Sequence, residues 1–351
     1  MKTIARNDAY PFILKAVKPL ADDVVQLSLS TKNGEPFSYR EGQFLSLRLS
    51  SGVQRSYSMA SACSDDGQVQ LHVRLLDGGQ FSEWLRGQSR VGESLQVLGP
   101  YGDCVWQQPE SASATVLMLA TGTGIAPLKA LIEKALSDGV RNPLILYWGG
   151  NTEKDLYLKD YFFELAGSHS NFAFVPVLTG AQPDWQGRHG FVQDAAAGDF
   201  PDLGSATVYA CGSPAMVEAA RTLLISTRNL DSTRFKADAF CPAIPRKAIH
   251  DAAHISIKVK QQNGMRSSLS VPSGISLLQA LTSIDQVIGV CGGQAACGNC
   301  RVVIPDPWKS NIAPAGRKEA RLLAAIDSAP EHRLACQIQV NSSLEGLLLD
   351  L

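Results

Sequence analysis

The chain lacks any excess of charge: 32 Lys+Arg stand against 33 Asp+Glu, a formal net charge of -1. Without a basic surplus there is no electrostatic footprint for nucleic acid, and without an acidic block there is no solvated disordered tail. Long apolar runs are missing too. The longest, Thr115 to Ala120 with its continuation, is broken by Gly122 and Gly124 and is far too short to span a bilayer. The first residues, Met1 to Asp8, carry charges early and contain no apolar stretch of a secretion signal, so a cytoplasmic protein without membrane attachment is expected. Internal repeats and low-complexity tracts are also absent from the sequence.

What is present suits a soluble globular protein of several domains. A chain of 351 residues, 45% hydrophobic and 19% charged, exceeds one ordinary core, so two or three globular domains are expected. Up to about residue 109, alternating segments such as Val24–Leu29, Phe44–Leu49 and Val69–Arg74 are separated by Asn33-Gly34, Ser51-Gly52 and Asp66-Gly67. Strands without intervening helices predict an antiparallel barrel or sandwich. From residue 110 the pattern changes to strands at Val116–Leu119, Leu144–Trp148, Phe172–Leu178 and Thr207–Ala210, with helices at Pro127–Leu136 and Ala215–Ser226. That alternation predicts a doubly wound parallel α/β sheet ending near residue 240. Two prolines, Pro242 and Pro245, mark residues 241–253 as a linker, and residues 254–351 start afresh with Ile255–Lys260, a turn at Asn263-Gly264 and a strand ending at Val271.

Eight cysteines in a reducing compartment are not expected to form disulfides. Cys63, Cys104, Cys211 and Cys241 are scattered, whereas Cys291, Cys297 and Cys300 fall within ten residues. Five residues separate Cys291 from Cys297, two separate Cys297 from Cys300, and thirty-five separate Cys300 from Cys336, which lies in the strand-like Leu334–Val340. Four thiolates from one glycine-rich loop and one distant segment suit an iron–sulfur cluster, and Gly292, Gly293 and Gly298 let the loop wrap closely and turn its N–H groups towards sulfur. A structural zinc site is the rival reading, although such sites usually present two C-x2-C pairs and here there is one.

The run from Val290 to Val303, with Arg333-Leu-Ala-Cys-Gln-Ile338, resembles ferredoxins of the adrenodoxin and putidaredoxin type. Trp308, Pro314, Glu319 and Leu322-Leu323 also fall where that family has them. The resemblance covers residues 254–351 and implies an α+β (β-grasp) fold holding a 2Fe-2S cluster on Cys291, Cys297, Cys300 and Cys336. The five-residue first gap separates it from the plant type, which has four. One departure stands out. The family's partner-binding helix is usually acidic, but here it reads Gly316-Arg-Lys-Glu-Ala-Arg321, and from His254 onward nine Lys+Arg face seven Asp+Glu. Steering of a basic partner by an acidic patch is therefore not expected.

In the first domain, Arg55-Ser-Tyr-Ser58 after Glu41-Gly-Gln-Phe44 could be an ordinary turn with a surface arginine. The same types suit a flavin: an arginine for phosphate, an aromatic for the ring, a hydroxyl near N5. Gly79-Gln-Phe-Ser82 places glycine and serine at an expected helix start, which suits phosphate. Together with Gly99-Pro-Tyr-Gly102 these motifs resemble the flavin barrel of the ferredoxin-NADP reductase superfamily, as found in oxygenase reductases. The resemblance implies a flavin site of Arg55, Ser56, Tyr57, Ser58, His72, Val73, Arg74, Gly79, Gln80, Phe81 and Ser82. Arg55 and Ser82 are expected on the pyrophosphate, Tyr57 on the flavin, and Ser58 by N5.

Thr121-Gly-Thr-Gly-Ile-Ala-Pro127 lies between an apolar strand and a helix, where glycines allow backbone to approach a phosphate and Pro127 suits a first helical turn. It is not the G-x-G-x-x-G of a Rossmann site, but it resembles the superfamily's nicotinamide loop. Tyr209-Ala-Cys-Gly-Ser-Pro-Ala-Met216 completes the likeness, with Cys211 beside the nicotinamide where a buried inert cysteine is the plain alternative. The implied nicotinamide site is Gly122, Thr123, Gly124, Pro127, Gly149, Asn151, Cys211, Gly212, Ser213, Pro214 and Met216. Asp238-Ala-Phe240 resembles the closing acidic-x-aromatic motif, and a core phenylalanine is the other reading of Phe240. Ser58, Cys211 and Phe240 are the expected reaction-centre residues, orienting rings rather than acting as acid, base or nucleophile.

Glu153 and Asp155 against Lys154 favour NADH, since a 2'-phosphate needs basic partners. Reductases of the phthalate dioxygenase type share the domain order and use FMN, whereas the motifs at Ser82 and Gly99 match FAD-binding relatives, so FAD is expected over FMN. The implied function is the monomeric reductase component of a multicomponent oxygenase or demethylase, passing electrons from NADH through FAD and a 2Fe-2S cluster to a terminal oxygenase, of Rieske type. None of the six histidines sits in the C-x-H spacing of a Rieske centre, so oxygen activation belongs to another protein. A deoxysugar dehydrase or a P450 is the alternative acceptor.

Overall fold

The computed structural model describes residues 9–180, 183–240, 253–260, 266–282, 293 and 295–350. Strands β1 (Ala9–Ala21), β2 (Val24–Thr31), β3 (Phe44–Arg48), β4 (Gln54–Ser58), β5 (Gln68–Arg74) and β6 (Ser94–Tyr101) form a six-stranded sheet in the order β4-β3-β6-β1-β2-β5, with antiparallel neighbours throughout. An antiparallel bridge from Met59 to Leu71 joins the two edges, so the sheet curls round on itself. Alternation decides what lies inside. In β2, Val25, Leu27 and Leu29 point to a core with Phe12, Leu45, Leu47 and Val97, and each such buried aliphatic side chain contributes roughly 1.5–3 kcal/mol. The short helix α1 (Gln80–Arg86) covers one end through Phe81.

Six further strands, β7 (Val116–Thr121), β8 (Leu144–Gly150), β9 (Phe172–Leu178), β10 (Arg188–His189), β11 (Thr207–Gly212) and β12 (Phe235–Ala239), form a parallel sheet in the order β10-β9-β8-β7-β11-β12. Both faces of β7 and β11 are buried, which is why these strands read as continuous apolar runs rather than as alternation. Helices α2 (Ile125–Ser137), α3 (Lys159–Ser168), α4 (Val192–Asp199) and α5 (Pro214–Thr227) connect them, with α2 on one face and α4 and α5 on the other. β7 and β11 are neighbours although β8 to β10 intervene in sequence. The strand order thus reverses between them, the place where α/β sheets open a crevice at their carboxyl ends.

The C-terminal part holds β13 (His254–Lys260) between antiparallel β14 (Arg266–Pro272) and parallel β17 (Leu348–Asp350), with helices α6 (Leu277–Thr282), α7 (Asp306–Lys309) and α8 (Arg317–Ala325). A second sheet pairs β15 (Arg301–Val303) with β16 (His332–Leu334). Its core gathers Ile257, Leu281, Val302, Leu334 and Leu347 with Cys300 and Cys336. One expectation needs correcting here. Leu334–Val340 is not a continuous strand: pairing ends at Leu334, and Ala335–Gln337 form a single 3-10 turn. The Ala335 N–H donates to the Cys300 carbonyl (2.8 Å), and this turn aims Cys336 at Cys300 rather than along a strand face. The Asn263-Gly264 turn and nearly all of the linker, residues 241–252, lie outside the described residues.

Candidate active site

The crevice is built from glycines that no other residue could replace. A Cβ on Gly124 would lie 2.1 Å from the Cys211 carbonyl oxygen, so the turn after β7 can sit against the end of β11 only without a side chain. Gly212 has φ +138°, and a Cβ there would meet Thr121 Oγ1 at 2.3 Å. Thr121 Oγ1 instead accepts the Ser213 N–H (3.1 Å), stitching the two strand ends together. Ser213 caps α5 by accepting the Met216 N–H (3.2 Å), with Pro214 at the first helical position. Trp148 Nε1–H donates to the Gly122 carbonyl (3.1 Å) and fixes the turn from below.

A cleft of about 600 Å³ runs between barrel and parallel sheet. Arg55, Ser56, Tyr57 and Ser58 of β4 line it with His72 and Arg74 of β5, and with Gly79, Phe81 and Ser82 around α1. The opposite wall is Thr121, Gly122, Thr123, Gly212, Ser213, Pro214, Asp238 and Phe240. Motifs spread over nearly two hundred residues of sequence therefore face one space. A second cleft of about 520 Å³ shares Arg74, Thr121, Gly122 and Ser213 with it and continues past Gly149, Asn151, Asp155, Phe191 and Met216.

Individual side chains are held in place. Tyr57 stands 5.3 Å from the ring of Phe81, and burial pushes its phenol above the ordinary range while Arg55 pulls the other way. Arg55 Nη1 donates to the Gln54 carbonyl (2.7 Å), Arg74 pairs with Asp23 (3.2 Å), and Ser82 Oγ accepts the Leu76 N–H (2.9 Å). His72 is buried, with Nδ1 at 3.1 Å from the Tyr157 hydroxyl and Nε2 without a hydrogen-bond partner among the described residues. Burial, helped by the charge of Lys129, brings its pKa down to about 3, so the imidazole is neutral. An orphaned ring nitrogen in the wall of a cleft is a place for a ligand atom.

Not every expected residue faces the clefts. Val73 points into the barrel core, Gln80 is exposed at the start of α1, and Gly124 and Pro127 support the turn from behind. Cys211 is fully buried with Sγ 3.9 Å from Cys104 Sγ; the adjoining thiol, then burial, push its pKa up, so it stays protonated. Gly212, Ser213 and Pro214 form the cleft wall at that strand end. Three contributors were missed by sequence reasoning: Thr121, although it opens the glycine-rich motif, and Cys104 and Tyr157, which lie in no motif and reach Cys211 and His72 through tertiary contact.

Asp238, on β12, is almost fully buried, and burial raises its pKa while Lys318 from α8 opposes the shift. Beyond α8, the cysteines converge. Cys300 and Cys336 are side by side, and Cys336, then burial, raise the Cys300 pKa, with Cys297 near enough to add to it. The Asn299 N–H donates to Cys297 Sγ (3.5 Å) and Gln337 Nε2 to Cys336 Sγ (3.4 Å). Gly293, Ala295 and Gly298 have positive φ, and a Cβ on Gly298 would strike Ile326 at 2.6 Å. Cys291, Gly292 and Gln294 lie outside the described residues, and among the described ones no three His, Cys, Asp or Glu close into a metal-binding group. Three cysteines brought together, with N–H donors aimed at two of the sulfurs, fit an iron–sulfur core, whose positive charge would favour their thiolates.

Comparison with known proteins gives two profile matches, the oxidoreductase FAD-binding domain over residues 11–106 and the oxidoreductase NAD-binding domain over residues 118–222. The CDP-6-deoxy-L-threo-D-glycero-4-hexulose-3-dehydrase reductase of Yersinia pestis is 34% identical over 238 residues, 68% of this chain and 70% of that protein. The chain belongs to the ferredoxin-NADP reductase superfamily. This superfamily member is an oxidoreductase with FAD-binding and NAD-binding domains. It is also 34% identical, over 212 residues, to the reductase subunit of an aromatic O-demethylase from Amycolatopsis sp., covering 60% of this chain and 63% of that one. The solved structure of phthalate dioxygenase reductase matches 98% of both chains with a TM-score of 0.69; at 16% identity the likeness is one of fold. Among the described residues no helix of this reductase is long and apolar enough to cross a membrane.

Proposed function

We propose that the protein is the NADH-dependent reductase component of a multicomponent oxygenase or demethylase, delivering single electrons through a 2Fe-2S cluster to a separate terminal oxygenase of Rieske type. The division that goes with this reading is a flavin barrel over 1–109, an NAD-binding domain over 110–240, a linker over 241–253 and a β-grasp ferredoxin over 254–351. The observation that carries it is the placement of Phe44. Its ring lines the cleft between barrel and sheet, and it belongs to an apolar cluster with Leu98, Tyr101, Ala296 and Cys297. The cysteine loop is thus seated one side chain away from the space the flavin would fill.

In this assignment Arg55 and Ser82 hold the flavin pyrophosphate, Tyr57 covers the ring, and His72 offers its orphaned Nε2. Ser58 and Phe240 orient the two rings, whereas Cys211, expected beside the nicotinamide, is buried behind Gly212 with its neutral thiol on Cys104. Gly122, Thr123, Gly212 and Ser213 admit the nicotinamide half, while Gly149, Asn151 and Met216 line the space for the rest of the nucleotide. Cys291, Cys297, Cys300 and Cys336 would hold the cluster. When bound, the flavin supplies two-electron acceptance from hydride and one-electron release, and the cluster supplies one-electron carriage. The net balance is NADH plus two oxidised acceptors giving NAD+, one proton and two reduced acceptors.

Reduction of cytochrome c by NADH tests the reading. The purified chain should carry both flavin and cluster absorbance and reduce cytochrome c, and Cys291→Ser should abolish the reduction while leaving NADH:ferricyanide activity in place. A preparation with neither chromophore, or a Cys291→Ser variant that still transfers single electrons at the original rate, refutes it. The identity to the Yersinia reductase favours a second reading, in which the acceptor is an iron–sulfur dehydrase acting on a deoxysugar. Reconstitution with each acceptor class separates the two.

A further inference from the structure

The helix α8 has two uses. One face anchors it to its own module, through Glu319, which is buried against Arg333 and Leu334. Lys318 and Arg321, one turn apart, reach the rest of the chain instead. Lys318 Nζ lies 3.6 Å from Asp238 Oδ1 on β12 of the parallel sheet, and Arg321 Nη2 lies 3.2 Å from Asp103 Oδ2, just past β6 of the barrel. The two acidic partners therefore come from opposite sides of the seam at which the flavin cleft opens, and Asp238 is itself part of the cleft wall. Alongside, Ala296 and Cys297 sit on Phe44, Leu98 and Tyr101.

We propose that α8 is an internal docking helix, with Lys318 and Arg321 as positioning residues that hold the cysteine loop against the flavin cleft during electron transfer. This rests on the reading of Cys297, Cys300 and Cys336 as cluster ligands. The electrostatics suit a reversible latch. Arg321 and Asp103 are both well exposed, so their pair is weak and screened by salt. Lys318 offsets only part of the desolvation of Asp238, so this contact too is a modest one. Arg317 of the same helix faces Arg221 of α5, a like-charged pair that opposes docking. Two attractions, one repulsion and a small apolar patch give a contact strong enough to form and weak enough to release. It also explains why the helix is basic: its complement is acidic and lies in the same chain.

The test uses the full chain and the double variant Lys318→Gln/Arg321→Gln. Anaerobic stopped-flow absorbance separates reduction of the flavin by NADH from the appearance of reduced cluster. Flavin reduction should be unchanged, cluster reduction about tenfold slower, and the salt dependence of the second phase lost. Small-angle X-ray scattering should show a larger radius of gyration at low salt in the variant, and in the original chain only at high salt. Pairing Arg321→Asp with Asp103→Arg should restore both readouts relative to Arg321→Asp alone. A cluster-loaded double variant with the original second-phase rate and salt dependence overturns the proposal. So does an unchanged scattering profile, which decides docking even if no cluster is present; absence of the cluster instead overturns the reading of the cysteines.

Discussion

His72 shows how one side chain couples stability to pH. Its folded pKa of about 3 lies below the ordinary 6.5, because burial and Lys129 disfavour the imidazolium. Between these values the unfolded chain binds a proton that the folded chain does not, so stability rises with pH across that window and falls on acidification. The single site contributes a slope of about 1.4 kcal/mol per pH unit between pH 6.5 and 3. Urea unfolding of the flavin-free chain at several pH values in this window should show a shallower dependence for His72→Gln than for the original, by about that slope. Equal slopes would mean that His72 is protonated in the fold. In the sequence, His72 was legible as part of a strand pattern and, by resemblance, as a flavin-site residue; that Tyr157, eighty-five residues on, engages Nδ1 while Nε2 has no partner among the described residues was not.

At the scale of elements, α8 and β16 are joined by the Glu319–Arg333 pair, with Arg333 Nε at 2.9 Å from Oε1, Nη2 at 3.0 Å from Oε2 and the Leu334 N–H at 2.7 Å from Oε1. Glu319 is 1% exposed, so removing it takes the carboxylate from a largely buried guanidinium that keeps the Ala313 carbonyl (2.9 Å). Glu319→Ala should cost roughly 3–5 kcal/mol in unfolding of the C-terminal part. Because β16 leads directly into the turn carrying Cys336, the variant should also lose cluster absorbance on dialysis faster than the original. The sequence placed Glu319 within a family pattern by resemblance but gave no reason for it. The reason is a hydrogen-bonding arrangement across fourteen residues that only the packed structure displays. The glycine-rich turn after β7 was legible in advance, since an apolar strand followed by Thr-Gly-Thr-Gly leaves few other readings. That Gly124 must clear the Cys211 carbonyl was not, because it depends on β11 lying beside β7.

Nucleotide choice belongs to the whole molecule, because the second cleft takes Arg74 from the barrel, Gly149 and Gly150 from the end of β8, Asn151 and Asp155 from the loop after it, and Met216 from α5. Asp155 is tied down there: Oδ2 accepts the N–H groups of Asn151 (2.9 Å) and Thr152 (2.8 Å), and Arg74 in the same lining is paired with Asp23. A 2'-phosphate near this loop would meet a fixed carboxylate and an arginine already engaged. NADPH should therefore be used with kcat/KM at least about a hundredfold below NADH, as steady-state cytochrome c reduction can measure. Comparable values for the two nucleotides would place the adenosine ribose elsewhere.

Composition, periodicity and spacing determined by themselves the antiparallel-then-parallel order of sheets and the crowding of the cysteines, while the nucleotide-binding reading of the turns came from resemblance. These are local signals, since strand alternation, glycine runs and ligand spacing are properties of short stretches of chain. Tertiary structure decided which motifs share a space. It showed that β4, β5, the turn after β7 and the end of β11 line one cleft, that Cys336 rides on a 3-10 turn, and that the basic helix α8 meets Asp103 and Asp238. Contacts between residues far apart in sequence arise from how whole sheets and helices bury their apolar faces against one another, and no single stretch encodes them.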